Sequence, residues 1–106
     1  MSELREIYDI LKTMRTTMGD LSFDWAGYLR SKEGRMGKQK LDALLAMIVK
    51  KGYAEGITVR EYVDQPLPVV YVDRPRITMD GLEYLASNSL MKKAAEAAAG
   101  IASVIQ

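Results

Sequence analysis

The chain has 106 residues, of which 48% are hydrophobic and 27% charged, and its formal net charge is +1. This length can bury one core but leaves no room for a separate catalytic domain. The sequence contains no cysteine and no histidine, which excludes disulfides, Ser-His and Cys-His catalytic pairs and nearly every zinc site. We therefore expect one globular domain with no cofactor, in which any metal would have to bind through oxygen.

The amino terminus has no basic segment that leads into an apolar one, and no run approaches the ~20 apolar residues that span a bilayer. These features predict a cytoplasmic protein with no membrane partner.

Two helices are predicted in the first third of the chain. Apolar residues recur at three- and four-residue spacing between Leu4 and Met14, which indicates a helix over about residues 3–17. After a break at residues 18–22, Ser22 or Asp24 can cap a short second helix, in which Trp25 is expected to anchor the core.

The glycines of residues 34–37 predict the turn that leads into a third helix. That helix should run from about Lys38 to Lys51 and end at Gly52 in a left-handed conformation. Its predicted buried residues are Leu41, Leu44, Leu45 and Ile48.

A hairpin and further helices are expected to follow. The β-branched and aromatic runs at 57–63 and 69–72 should pair as two strands, with Pro66 and Pro68 in the connecting loop. Thr78 is a good N-cap for a fourth helix. This order predicts an α+β winged helix-turn-helix domain over residues 1–89, with a three-helix core and a two-stranded wing, followed by an alanine-rich carboxy-terminal helix over residues 90–106.

Three segments carry a family resemblance: residues 49–57, 77–85 and 86–94. Together they resemble the YjcQ-like family of small bacterial and prophage proteins, whose molecular activity is unassigned. The resemblance implies a winged-helix fold with an appended helix, and it brings no catalytic residue to this chain.

Positive charge collects where a recognition helix and a wing would lie. From residue 35 to residue 60 six basic side chains face only two acidic ones, Asp42 and Glu55, and Arg74 and Arg76 begin a second excess. On the third helix, Gln39 could bridge adenine while flanking lysines meet phosphates. The candidate DNA-binding residues are Arg35, Lys38, Gln39, Lys40, Lys50, Arg60, Arg74 and Arg76.

Double-stranded DNA is therefore the predicted partner, and a prophage-associated or host transcriptional regulator the predicted role. The alternative is a non-enzymatic protein-interaction module on the same scaffold. The alanine-rich end predicts either a homodimer through this helix or packing against the first helix.

Catalysis is not expected. The nearest acidic pairs, Glu3 with Glu6 and Asp20 with Asp24, have the spacing of solvated helix or cap residues. Residues 34–37 lack the preceding strand and Gly-Lys-Ser pattern of a phosphate-binding loop.

Overall fold

Four helices and one antiparallel hairpin form the part of the chain that the structure, a computed structural model, describes, residues 3–88. None of these helices is long and apolar enough to cross a membrane. In chain order the elements are α1 (Glu3–Thr16), α2 (Trp25–Met36), α3 (Lys38–Lys50), β1 (Ala54–Arg60), β2 (Val69–Ile77) and α4 (Met79–Ser87).

The first helix lies at the centre of the core, where it contacts α3, α4 and β2. Its predicted apolar stripe is confirmed from Ile7 to Met14, and Ile10 and Leu11 are fully buried. The prediction is wrong for Leu4, which is 56% exposed, because it lies one turn before the buried stripe begins. A carboxylate takes part in the buried face instead, since Glu6 is buried.

The second helix is longer than the sequence predicted. Asp24 caps it as expected, with its Oδ1 accepting a hydrogen bond from the Gly27 N–H at 3.0 Å. The predicted turn over residues 34–37 is wrong for its first three residues, which are helical. Gly34 costs the helix about 1 kcal/mol relative to alanine, too little to end it. Only Gly37, with a φ of 90°, separates α2 from α3.

The third helix matches the prediction closely. The four residues expected to be buried are all 4% exposed or less. Gly52 follows the helix with a φ of 78°, so the left-handed end is confirmed. The buried residues are Leu41, Leu44, Leu45 and Ile48.

The hairpin is confirmed, but its strands are displaced from the predicted bounds. β1 begins at Ala54 and ends at Arg60, while β2 continues past Val72 to Ile77. Thr58 pairs with Tyr71 and Val59 with Val70. Pro66 and Pro68 lie in the loop, as expected.

A bulge explains how β2 continues through a proline. Glu55 pairs with Arg76 and Ile57 pairs with Val72, so Gly56 alone lies opposite residues 73–75. Pro75 has no N–H to donate, which suits it to the unpaired part of a strand. The bulge lets the ladder continue to the base of the hairpin, where Ala54 pairs with Ile77.

The fourth helix begins as predicted. Thr78 Oγ1 accepts a hydrogen bond from the Gly81 N–H at 3.1 Å, and Leu85 is buried. The alanine-rich helix predicted over residues 90–106, and with it the homodimer contact, lies outside the described residues. The order of the described elements is consistent with a winged-helix layout.

Candidate nucleic-acid interface

The outer face of α3, defined here as Gln39, Ala43, Ala46 and Lys50, lies opposite the buried leucines. Gln39 and Lys50 are exposed, and the two alanines are half-buried. Small side chains at the centre leave this face shallow, so a partner can approach the helix backbone closely. Ala46 and Lys50 line a groove that α3 forms with the end of β1. The ends of the face are about 17 Å apart at 1.5 Å per helical residue.

Two lysines beside this face hold surface ion pairs. Lys38 Nζ lies 2.8 Å from Asp42 Oδ2, and Lys40 Nζ lies 3.0 Å from Glu3 Oε2. The hydrogen bond to Asp42 raises the pKa of Lys38, and the hydrogen bond from Lys40 lowers the pKa of Glu3. Both lysine side chains are about half exposed or more, at 64% and 46%. Such pairs contribute roughly 0–1 kcal/mol, so a phosphate can replace the carboxylate at little cost.

Arg35 belongs to a different site. Its Nη2 lies 3.4 Å from Glu6 Oε1, on the α1–α2 side of the molecule. There Lys32 Nζ lies 2.6 Å from both Glu6 Oε1 and Asp9 Oδ2. We call these four residues together with Tyr28 the α1–α2 ion cluster. Arg35 is therefore placed apart from the lysines of α3 with which the sequence grouped it.

The α1–α2 ion cluster is the group of charges that the sequence did not reveal. The Tyr28 hydroxyl donates to Asp9 Oδ2 at 2.9 Å, and burial raises the pKa of this tyrosine. Burial acting alone would also raise the pKa of Asp9, but the hydrogen bonds from Lys32 and Tyr28 outweigh it and lower that pKa. Glu6 is thus a buried ion-pair partner, and the expectation of a solvated helix residue was wrong.

The remaining cations divide between the two ends of the hairpin. Arg60 is exposed at the end of β1. Its neighbours Val59 and Glu61, rather than Arg60 itself, line a groove of about 350 Å³ with Lys50 of α3. Arg74 and Arg76 lie at the other end, in and after the bulge. Arg76 Nη2 is 3.0 Å from Glu55 Oε1. The structure therefore places the end of β1 near α3, with Arg60 outside the groove between them, and separates Arg74 and Arg76 from α3.

The loop of the hairpin is acidic and apolar. It begins with Glu61 and includes Asp64, while Tyr62 and Leu67 are 42% and 44% exposed and Val63 is fully exposed. Its two carboxylates oppose a phosphate contact at this tip. Any nucleic acid on this side of the molecule would have to meet α3 and the β1 end.

Fold and site together define a small α+β protein in which an exposed, lysine-flanked helix lies beside an antiparallel hairpin. The chain belongs to the YjcQ family, because the family model described as YjcQ protein matches residues 8–103. This confirms the resemblance and extends it over nearly the whole chain. Neither the curated proteins nor the solved structures contain a match to this sequence.

Proposed function

We propose that this protein is a winged helix-turn-helix protein that binds double-stranded DNA through α3 and the adjoining end of β1. The observation that carries the proposal is the outer face of α3. It combines two exposed polar side chains, Gln39 and Lys50, with a shallow alanine centre, on a helix whose opposite side is held firmly in the core. A helix of this width fits a major groove.

Phosphate contacts would supply most of the affinity. Lys38 and Lys40 lie near the start of α3, Lys50 near its end, and Arg60 on the adjacent strand. Each of the two paired lysines can exchange its carboxylate for a phosphate oxygen, and each phosphate contact releases counterions from the duplex. Four cations arranged in this way can hold α3 along a groove.

Base readout would be limited. Gln39 can bind adenine bidentately, and the methyl groups of Ala43 and Ala46 can contact thymine methyls. Asp42 lies on the same helix, where its charge opposes nearby phosphates. The proposal is therefore for binding of modest sequence selectivity.

The biological role that fits such binding is transcriptional regulation, in a host or prophage setting, by a cytoplasmic protein that performs no catalysis. The α1–α2 ion cluster ties two helices together through well-paired contacts. A structural role accounts for all of its hydrogen bonds.

Charge reversal tests the proposal directly. The variant Lys38→Glu, Lys40→Glu, Arg60→Glu should lose at least about tenfold in affinity for a labelled random duplex at low salt, because three phosphate contacts become repulsive. Fluorescence anisotropy measures this loss. Lys12→Glu, Arg15→Glu, Arg30→Glu is the matched control, since it makes the same change of net charge at three exposed sites of α1 and α2. Equal losses in both variants, or no binding by the unaltered protein, would contradict the proposal.

A second candidate function, protein interaction, is favoured by a specific observation. Apolar side chains are exposed on α3 and around the hairpin, including Met47, Val63 and Tyr71. An apolar protein interface would show weak salt dependence, whereas phosphate contacts give a steep one. Duplex binding that is unchanged at high salt would contradict phosphate contacts and would favour the protein-interaction module.

A further inference from the structure

A second site lies away from α3, where the loop between α1 and α2 meets the bulge of β2. The cleft has a volume of about 590 Å³, within the range of sites that hold small molecules. Its walls are mainly apolar and come from Met14, Phe23 and Trp25 on one side and Pro75 and Ile77 on the other.

The mouth of the cleft exposes apolar side chains to solvent. Leu21 is 88% exposed and Met18 is 60% exposed. Behind them Phe23 and Trp25 pack edge to face, with ring centroids 4.9 Å apart. Among residues 3–88 nothing covers this opening, and an apolar ligand would remove its walls from water.

The charges at the rim differ in how they are satisfied. Arg76 pairs with Glu55 at 3.0 Å. Asp20 Oδ1 accepts hydrogen bonds from the N–H and hydroxyl of Ser22 at 3.0 and 2.6 Å. Arg74 also lines the cleft and is exposed, but it forms no ion pair with any residue from 3 to 88. Among residues 3–88, Asp20 and Arg74 are thus the rim charges without an ion pair, and of the two only the Asp20 side chain has hydrogen bonds, from Ser22.

The backbone fixes the point from which the Arg74 side chain extends beside the cleft. Arg74 has a φ of 53°, a left-handed conformation that persists in a residue with a side chain only when its surroundings enforce it. Gly56, with a φ of 80°, packs directly against the Arg74 carbonyl group. A Cβ at Gly56 would lie 2.8 Å from the Asp73 carbonyl oxygen, so this close approach requires glycine. The bulge thus fixes the Arg74 backbone, and the side chain extends from it at the edge of the cleft.

We propose that this cleft binds a small amphipathic monoanion, such as a medium-chain or aromatic carboxylic acid. Its apolar body would lie between Trp25 and Pro75, and its carboxylate would accept hydrogen bonds from Arg74. A planar guanidinium is well suited to a carboxylate because it can donate two parallel hydrogen bonds. The site is independent of the DNA interface on α3.

Trp25 is the only tryptophan of the chain and lines this cleft, so the tryptophan fluorescence of the protein has its single source there. Octanoate and 1-octanol are suitable probes, because they share an apolar body of similar length and differ in charge. Titration of the full chain with octanoate should give a saturable change in Trp25 emission. 1-Octanol should bind about threefold to tenfold more weakly, as expected for the loss of a partly exposed charged hydrogen bond.

Arg74→Gln should reduce octanoate affinity to that of 1-octanol while 1-octanol binding stays unchanged, which shows that the cleft remains intact. Arg30→Gln, at an exposed arginine of α2 that does not line the cleft, should leave both affinities unchanged, and Phe23→Ala should weaken both. The absence of a saturable response to octanoate would overturn the proposal, including the case in which residues 89–106 already fill the cleft. Equal affinities for the two probes, unaffected by Arg74→Gln, would also overturn it.

Discussion

The α1–α2 ion cluster and the outer side of α3 contain the same types of charged residue in very different surroundings. In the cluster, Lys32 and Glu6 are only 5% and 8% exposed in their side chains and lie 2.6 Å apart. Beside α3, Lys38 and Lys40 form pairs of similar length, but their side chains stay about half exposed or more. Separation of the charged atoms is therefore not what distinguishes the two regions.

Solvent access decides what each set of charges can do. A buried charge that loses its partner pays a large desolvation penalty, so the cluster is committed to holding α1 against α2. An exposed pair contributes little and can re-form with another anion. The contrast explains why the lysines of α3 are available to a ligand and Lys32 is not.

The largest expected effect comes from breaking the buried pair. Lys32→Met keeps an apolar side chain of similar length but leaves Glu6 buried with only Arg35 at 3.4 Å, and it should reduce the free energy of unfolding by about 3 kcal/mol. Arg76→Met makes the same change in a surface pair and should cost under about 1 kcal/mol. Urea unfolding at neutral pH measures both. Similar losses in the two variants would remove the distinction between buried and exposed pairs.

The hairpin depends on the backbone geometry of its bulge, whereas the contact between α1 and α2 depends on buried charges. Gly56→Ala should lower the free energy of unfolding by about 2 kcal/mol or more, since it forces a left-handed alanine against the bulge carbonyls. Gly34→Ala is the control, because Gly34 is helical and has open space around it, and it should stabilise the protein by about 0.5–1 kcal/mol. A stable Gly56→Ala variant would show that the bulge can relax.

The smallest effect is a pH dependence within the ion cluster. Because the pKa of Asp9 is lowered in the folded protein, its contribution is fully present above the unfolded value of about 3.9 and is lost as the pH falls through the folded pKa. Asp9→Asn should therefore be less stable than the unaltered protein at neutral pH, by under about 1 kcal/mol for this half-exposed group. The two proteins should converge in acid.

Thermal unfolding between neutral and strongly acidic pH would follow this convergence. Asp64→Asn, in the exposed hairpin loop, controls for the removal of one negative charge. A difference between Asp9→Asn and the unaltered protein that stays constant with pH would show that Asp9 has no ionised role.

The predictable parts of the fold are those that a single segment determines. The apolar spacing of α3, the glycine that ends it and the cap of α4 at Thr78 could each be identified from a few neighbouring residues. The mispredicted parts depend on tertiary packing. Gly34 reads locally as a break, but its cost of about 1 kcal/mol is too small to end a helix that packs against α3.

The charged sites show the same limit. The outer face of α3 follows from helical periodicity alone, whereas the partner of Lys32 lies 26 residues away on another helix. The bulge had a local signal, since an isolated glycine within a β-rich run often marks one. Gly56 is such a glycine. Pro75, which has no N–H to donate, is a second indication of an unpaired stretch of strand. The cleft that this bulge forms with the α1–α2 loop could not be predicted, because distant segments build its walls.

The most direct test of the account is the salt dependence of duplex binding. The logarithm of the association constant should fall linearly with the logarithm of salt concentration, with a slope of about −0.9 for each phosphate contacted. For Lys38→Gln, Lys40→Gln the slope should be shallower by about two, as expected for the loss of two phosphate contacts. A slope that is unchanged in this variant, or close to zero in the unaltered protein, would contradict the claim that the exposed lysines of α3 bind DNA.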